Sequence, residues 1–315
     1  MLYIIYTKYD ITNTIVKKLK KDNKNIETIE IPITRKQYKI RKYVYKLNSL
    51  FKTTLFTRFI YSNTINHIIN NITSNDKILF WDYYYYHDIK YILKKSCIPA
   101  SSTYLWIWNT INSVHLQTLD LIKQTGINIY TFDPQDSVKY KLNLTNQVHY
   151  KENLNKKEIR YDFFFIGMDK GRSKMLNDLA LLLDEKGFNY KFIIVKSEND
   201  NNNKFDKIEY IDHAIPYIDI LNFISESRIV VDITQCNQTG ITLRTLEALF
   251  YEKKLLTNNP HIKQMDIYNP NNILFMDTNN DYKEELDSFI NTKINTYKSE
   301  TLSKYQIEEW IKKFL

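Results

Sequence analysis

A chain of 315 residues with 43% hydrophobic and 14% aromatic content is long enough for two cores and too apolar for a disordered protein. Two cysteines, Cys97 and Cys236, are too few for a disulfide framework, match no metal-ligand spacing and suit a reducing compartment. The formal charge of +8 points to an anionic partner: a phosphorylated substrate, a membrane surface or a nucleic acid.

Strand-like and helix-like segments alternate along the chain, which predicts parallel sheets covered by helices. The opening MLYIIYTKYD has too short an apolar run for a signal peptide and reads as a strand over 2–6. No stretch approaches the roughly 18 apolar residues of a membrane span. A helix over 11–21 and a strand over 27–31 follow. RKQYKIRKYVYK (35–46) sets Arg35, Lys36, Lys39, Arg41, Lys42 and Lys46 among Tyr38, Tyr43 and Tyr45. That pattern suits an anionic bilayer surface or RNA, and equally a solvated helix face with buried tyrosines. Helices over 57–70 and 112–125 alternate with strands over 77–81, 103–107 and 128–132. The polar run KENLNKKEIR (151–160) reads as an interdomain linker.

YDFFFIG (161–167) restarts the pattern as a strand buried on both faces. A helix over 172–186, a strand over 190–195 and a polar loop over 197–207 come next. Strand 208–211, helix 217–225 and strand 228–233 lead to QTGITLRTLEALFYEKKLLTNN (238–259), a glycine loop, a helix and a strand ending at Asn258 and Asn259. ETLSKYQIEEWIKKFL places Ile307, Trp310, Ile311 and Phe314 on one helical face. The predicted division is a first α/β domain over 1–155, a second over 156–298, and a helix over 299–315 packing back toward the first.

Two turns of the second half carry ligand-binding chemistry. In FFFIGMDKGRSKML (163–176), Gly167 and Gly171 bracket the turn after a buried strand, where glycine permits close backbone approach or positive φ. Lys170 and Arg172 stand at a helix N-terminus, where a cation opposes the dipole unless an anion lies between them. The turn is neither a P-loop nor G-x-G-x-x-G. In the segment from 238, the loop at Gly240 opens a helix near Thr242, with Arg244 one turn inside and Glu247 one turn further. Free N–H groups and the Arg244 fork suit a diphosphate, and Glu247 suits a sugar hydroxyl. Both turns follow strands of one domain and can converge at its carboxyl edge.

In the first half, FWDYYYYHD (80–88) puts Asp82 at a strand end, as a general base for an acceptor hydroxyl or as a cap for the next helix. His87 and Asp88 are alternatives for the base. WIWNTI (106–111) leaves Asn109 at the following strand end as a sugar-hydroxyl partner. Asp133 in FDPQDS is a secondary acceptor-side candidate, within what also reads as a helix cap with Pro134 at its first position.

The phrases WIWN, FDPQDSVKY, FFFIGMDKGR and TGITLRTLEALFYEKKLLTNN resemble bacterial GT-B-fold glycosyltransferases of capsule and lipopolysaccharide biosynthesis, over most of residues 77–277. The resemblance implies an α/β fold of two Rossmann-like domains facing across a cleft. It implies a donor held by the second domain, an acceptor held by the first, and no metal or other cofactor. Glu247 matches the second glutamate of an E-x7-E motif whose first position is Thr239 here.

On this reading the protein moves a sugar from a nucleotide-sugar donor to a glycan or lipid-linked acceptor in cell-surface polysaccharide synthesis. It would work in the cytoplasm, or peripherally on the inner face of an anionic membrane, with nucleic acid not expected as a partner. The donor set is Gly167, Lys170, Gly171, Arg172, Gly240, Thr242, Arg244 and Glu247. Asn109 and Asp133 serve the acceptor side, with Asp82 or His87 as base. A non-catalytic RNA- or membrane-binding α/β protein would account for the charge but not for the two convergent turns. A sugar-nucleotide epimerase or hydrolase would use the donor turns without an acceptor. Donor sugar, base, linkage and stereochemistry stay open.

Overall fold

A computed structural model describes residues 1–111, 113–155, 157–196, 204–235, 238–277 and 282–315. Cys236 and most of the polar loop expected over 197–207 lie outside the described residues. The chain divides into two units, residues 1–146 with 311–315, and residues 147–310. Among the described residues no helix is long and apolar enough to cross a membrane.

The first unit holds strands β1 (Leu2–Thr7), β2 (Ile26–Ile31), β3 (Lys77–Trp81), β4 (Thr103–Ile107), β5 (Asn128–Thr131) and β6 (Asn143–Leu144). They form one parallel sheet in the order β2-β1-β3-β4-β5-β6. Its helices are α1 (Asp10–Asp22), α2 (Arg35–Leu50), α3 (Asn63–Asn71), α4 (Tyr86–Ser96), α5 (Ser113–Lys123) and α6 (Pro134–Tyr140). Every residue of β1, LYIIYT, is buried, as an inner strand covered on both faces requires.

The helix expected over 57–70 is two pieces, a 3-10 turn Leu55–Ile60 and α3. Ser62 restarts the chain between them by accepting from Ile65 N at 3.3 Å. Residues 311–315 complete this unit. The Phe314 ring lies 5.1 Å from Tyr104 and 5.5 Å from Tyr130, and Lys313 Nζ donates to Thr145 Oγ1 at 2.7 Å.

The second unit holds β7 (Tyr161–Met168), β8 (Tyr190–Val195), β9 (Glu209–Ile211), β10 (Ser227–Asp232), β11 (Lys254–Thr257) and β12 (Ile273–Phe275). All pair in parallel, in the order β12-β11-β10-β7-β8-β9. Its helices include α7 (Ser173–Glu185), α8 (Tyr217–Ser225), α9 (Leu243–Phe250) and α10 (Tyr282–Asn291). The chain winds outward from β7 on one side through β8 and β9, then on the other through β10, β11 and β12. The winding reverses between β7 and β10, and in an open parallel sheet ligands bind at the carboxyl ends beside such a reversal.

The described part of the expected linker contains no helix or strand. It is fastened to this unit by Glu152 N donating to Tyr251 Oη (2.9 Å) and by Lys157 pairing with Glu226 (3.0 Å). The helix expected over 299–315 is broken into Ser299–Ser303, Ile307–Trp310 and a 3-10 turn Ile311–Lys313. Its apolar face persists, since Ile307, Trp310, Ile311 and Phe314 are all buried.

Candidate functional site

Asp169 closes the turn after β7. Its Oδ1 accepts from Arg172 N at 3.0 Å and from Ser173 N at 2.9 Å, satisfying free donors at the start of α7. Sequence reasoning passed over this residue; its signal is an Asp four positions ahead of a helix. Lys170 and Gly171 follow with φ of +45° and +83°, and only the glycine adopts that conformation freely. Space is not the constraint at Gly171, where a Cβ would meet nothing within 4 Å.

Gly167 is the opposite case. A Cβ there would lie 3.1 Å from Arg172 Nη1 and 3.3 Å from Phe165 Cζ, so its bare backbone lets the guanidinium rest against the strand. Arg172 Nη1 donates to Met168 O at 3.1 Å, and its Cζ stands 5.9 Å from the Phe165 ring centroid. Its Nε is buried without a hydrogen-bond partner among the described residues. Burial lowers the Arg172 pKa; Asp232 and Asp169 oppose that shift, and Arg244 adds to it. Lys170 is exposed as a residue, yet desolvation of its ammonium, and then Arg172, lower its pKa.

At the end of β10, Asp232 Oδ2 accepts from Thr242 Oγ1 and Thr245 Oγ1, both at 2.9 Å. Burial pushes the Asp232 pKa up, against the two hydroxyls, Arg172 and Arg244. Thr242 Oγ1 also accepts from Thr245 N at 3.1 Å and so caps α9. The Thr242 hydroxyl is thus occupied by the cap and the carboxylate. Gly240 is buried, with its carbonyl accepting from Gln238 Nε2 and Asn259 Nδ2, each at 3.4 Å. Asn258 Oδ1 accepts from Thr234 N (2.8 Å) and Thr234 Oγ1 (3.1 Å). The two asparagines after β11 therefore brace the loop that precedes α9.

Arg244 reaches from α9 to β7, where its Nη2 donates to Ile166 O at 3.3 Å. Its Nη1 pairs with Glu247. Glu247 is 0% exposed, and its Oε1 accepts from Tyr217 Oη at 2.8 Å. Burial raises the Glu247 pKa, with Arg244 and Tyr217 resisting. The expectation that Glu247 meets a sugar hydroxyl is corrected here: one oxygen holds Arg244, the other Tyr217, and the carboxylate lies beneath the guanidinium.

Behind this pair lies His149, also missed in the sequence. Its Nδ1 is 3.5 Å from Tyr217 Oη, and its ring packs against Phe250 and Tyr251 at 5.2 and 5.8 Å. Burial, and then Arg244, lower its pKa from 6.5 to about 3. Between those values the unfolded chain binds a proton that the folded chain refuses. Stability is therefore complete above pH 6.5 and is lost as pH falls toward 3. The slope of that loss approaches about 1.4 kcal/mol per pH unit. His149→Phe should flatten the acid limb relative to the parent when melting is followed between neutral and acidic pH. Identical profiles would show that His149 takes up its proton without unfolding.

In the first unit, Asp82 follows β3 with φ +49°. Its Oδ1 accepts from Trp108 N at 3.0 Å and Tyr84 Oη at 3.1 Å, and its Oδ2 accepts from Asn109 Nδ2 at 2.7 Å. A carboxylate offers about four acceptor positions. Burial raises the Asp82 pKa, opposed by these three donors and by His115. Asp82 does not cap α4, whose N-cap is Tyr85 without a side-chain bond. The structure thus joins two expected residues, Asp82 and Asn109, and adds His115 from α5. The His115 ring stacks on Tyr84 at 4.5 Å, and burial lowers its pKa while Asp82 raises it.

The remaining expected residues make contacts within the first unit. His87 stacks on Tyr45 of α2 at 4.7 Å, and desolvation lowers its pKa. Asp88 is buried; it accepts from Tyr45 Oη at 2.6 Å and pairs with Arg41 at 3.5 Å. Arg41 is consequently a core residue, while Arg35, Lys36, Lys39, Lys42 and Lys46 are exposed. Asp133 is buried as the cap of α6, accepting from Gln135 N (2.9 Å) and Asp136 N (3.2 Å), which removes it from the acceptor side.

No protein-family model matches the sequence, and no curated protein matches it. Solved structures do resemble the fold. An α-glucosyltransferase in complex with UDP-glucose and DNA containing an abasic site matches with a TM-score of 0.53 and 13% identity, over 99% of this chain and 98% of that one. A further α-glucosyltransferase complex, with UDP and a 13-mer DNA containing a HMU base, matches at 0.52 and 12%, over 99% and 97%. An α,α-trehalose-phosphate synthase (UDP-forming) from Burkholderia vietnamiensis matches at 0.54 and 8%, over 99% and 95%. At such identities the shared property is the fold. The chain therefore has the GT-B architecture of these glycosyltransferases, two Rossmann-like domains each built on a parallel six-stranded sheet.

Proposed function

We propose that this protein is a glycosyltransferase that moves a sugar from a nucleotide-sugar donor to a hydroxyl of a glycan or lipid-linked acceptor in cell-surface polysaccharide synthesis. One observation carries the reading: Arg172 and Arg244, from different turns beside the winding reversal of the second sheet, both reach the carboxyl end of β7, donating to Met168 O at 3.1 Å and Ile166 O at 3.3 Å. Glu247 already neutralises Arg244, whereas Arg172 bonds only a carbonyl and its ionised form is opposed by burial, so a further anion at this strand end is favoured. A diphosphate leaving group supplies that anion, and each well-placed donor to developing charge contributes on the order of 3 kcal/mol. The two resembling α-glucosyltransferase complexes hold UDP or UDP-glucose, which agrees with a nucleotide donor.

On the acceptor side we assign Asp82 as the base. Three donors hold its carboxylate in place, Oδ2 accepts from Asn109 alone among these and so keeps a lone pair for an acceptor hydroxyl, and the raised pKa favours taking its proton. Two of the resembling complexes contain DNA, so nucleic acid returns as a second acceptor class, consistent with the basic charge of this chain.

The arginines take the role a metal would otherwise have, so UDP or GDP should raise the melting temperature without divalent cations. Transfer from UDP- or GDP-sugars to glycan, lipid-linked and duplex DNA acceptors should survive EDTA. Activity abolished by EDTA and restored by manganese would overturn the metal-free mechanism. Nucleotide release without a glycoside would overturn transfer itself in favour of a hydrolase.

A further inference from the structure

The segment joining α2 to α3 reverses the usual placement of side chains. Asn48, Thr54 and Thr57 are buried, at 1%, 5% and 0% exposure, whereas Leu50, Phe51, Leu55 and Phe59 stand 71%, 62%, 61% and 63% exposed. Polar groups face in and large apolar groups face out, against the partition that water imposes.

This inversion is held by specific bonds. Asn48 Nδ2 donates to Thr57 Oγ1 at 2.8 Å, Asn48 Oδ1 accepts from Phe56 N at 3.2 Å, and Asn48 O accepts from Thr53 N at 2.9 Å. One buried residue thus fixes both ends of the turn that displays the apolar residues, through its backbone carbonyl and its side chain. The charge around them is one-sided. Residues 31–75 contain eight Lys and Arg and no Asp or Glu, a surplus equal to the formal +8 of the whole chain. Of these, Arg35, Lys36, Lys39, Lys42, Lys46, Lys52 and Arg58 are exposed.

We propose that this face docks on an anionic lipid bilayer. Leu50, Phe51, Leu55 and Phe59 enter the boundary between headgroups and acyl chains, and the seven cations lie against lipid phosphates. Charge complementarity selects the anionic surface, and the leucines select lipid among anionic partners. Phosphates and base edges offer Leu50 and Leu55 little, while hydrocarbon rewards each in proportion to the area withdrawn from water. A second copy of this chain is disfavoured, because it would oppose two surfaces that both lack carboxylates. The inference does not depend on the donor-site reading.

Flotation with phosphatidylcholine vesicles, with and without phosphatidylglycerol, tests it at low and high salt. Two variants accompany the parent: Leu50→Ser/Phe51→Ser/Leu55→Ser/Phe59→Ser, and Lys36→Gln/Lys39→Gln/Lys42→Gln/Lys46→Gln. All eight side chains are exposed, so melting temperatures should stay near that of the parent. The parent should float with anionic vesicles at low salt and lose much of that binding at high salt. Each variant should lower the partition coefficient on the order of a hundredfold. Absence of parent flotation, or variants that float like the parent, would overturn the proposal. So would a DNA or RNA oligonucleotide bound equally by the parent and the serine variant when neither floats. UDP-induced stabilisation, measured on the same variants, reports on the donor site separately.

Discussion

Arg244→Ala is expected to lose transfer by roughly a hundredfold or more and to destabilise the fold as well. The first effect follows from removing the donor proposed to meet the leaving group. The second follows from Glu247, which is 0% exposed and would be left with Tyr217 alone. Breaking a buried ion pair on one side costs about 3–5 kcal/mol, and the 16% exposure of the Arg244 side chain argues for the lower end. The two effects separate in Arg244→Ala/Glu247→Gln. A neutral amide still accepts from Tyr217 and needs no counter-charge, so stability should largely return while transfer stays lost. Urea unfolding and transfer rates on the three proteins decide the matter. Unchanged turnover in the single variant would make Arg244 a structural residue, and restored turnover in the double variant would sink its leaving-group role.

The sheets were readable because each central strand is a continuous apolar run. LYIIYT and DFFFIG leave no polar face to confuse the period, and the structure buries most of these side chains. The two turns proposed to hold the donor were readable as turns for the same reason, since they follow the buried strands β7 and β10. What the sequence concealed lies in contacts between distant positions. Glu247 has the type and spacing of a ligand contact, yet Tyr217, thirty residues earlier, fills one of its oxygens. Arg41 belongs by spacing to a surface cluster, but Asp88 draws it into the core.

Local chemistry misled in two further places. Asp133 was ambiguous between cap and site, and Pro134 at the first helical position already favoured the cap. The segment 57–70 has a helical apolar pattern that Ser62 interrupts. The inverted turn at 48–59 was invisible because hydrophobic periodicity assumes that apolar residues face inward. His115 and His149 gave no motif signal; each gains meaning only from a partner brought in by the fold, Tyr84 and Tyr217 respectively.

Arg172→Ala should behave in the opposite way to Arg244→Ala in the ligand-free protein. Arg172 gains a bond to Met168 O and a long-range attraction to Asp232, but burial and the Arg244 charge both oppose its ionised form. Removing it relieves that repulsion, and a Cβ at position 172 retains the Asp169 bonds to the backbone N–H groups. Stability without ligand should therefore hold or rise, as expected where a site keeps an unfavourable charge for function. The loss should appear only when nucleotide is present. At a concentration one hundred times its Kd, UDP would stabilise the parent by about 2.7 kcal/mol. A tenfold weaker site would leave about 1.4 kcal/mol, and a hundredfold weaker one about 0.4. Arg172→Lys should fall between, because an ammonium restores the charge without the planar fork. Melting of the three proteins with and without UDP provides the comparison. Equal UDP shifts in the parent and the alanine variant would remove Arg172 from the donor site. A sharp loss of ligand-free stability would make Arg172 a structural support, and the placement of both arginines at the end of β7 would then no longer argue for a bound diphosphate.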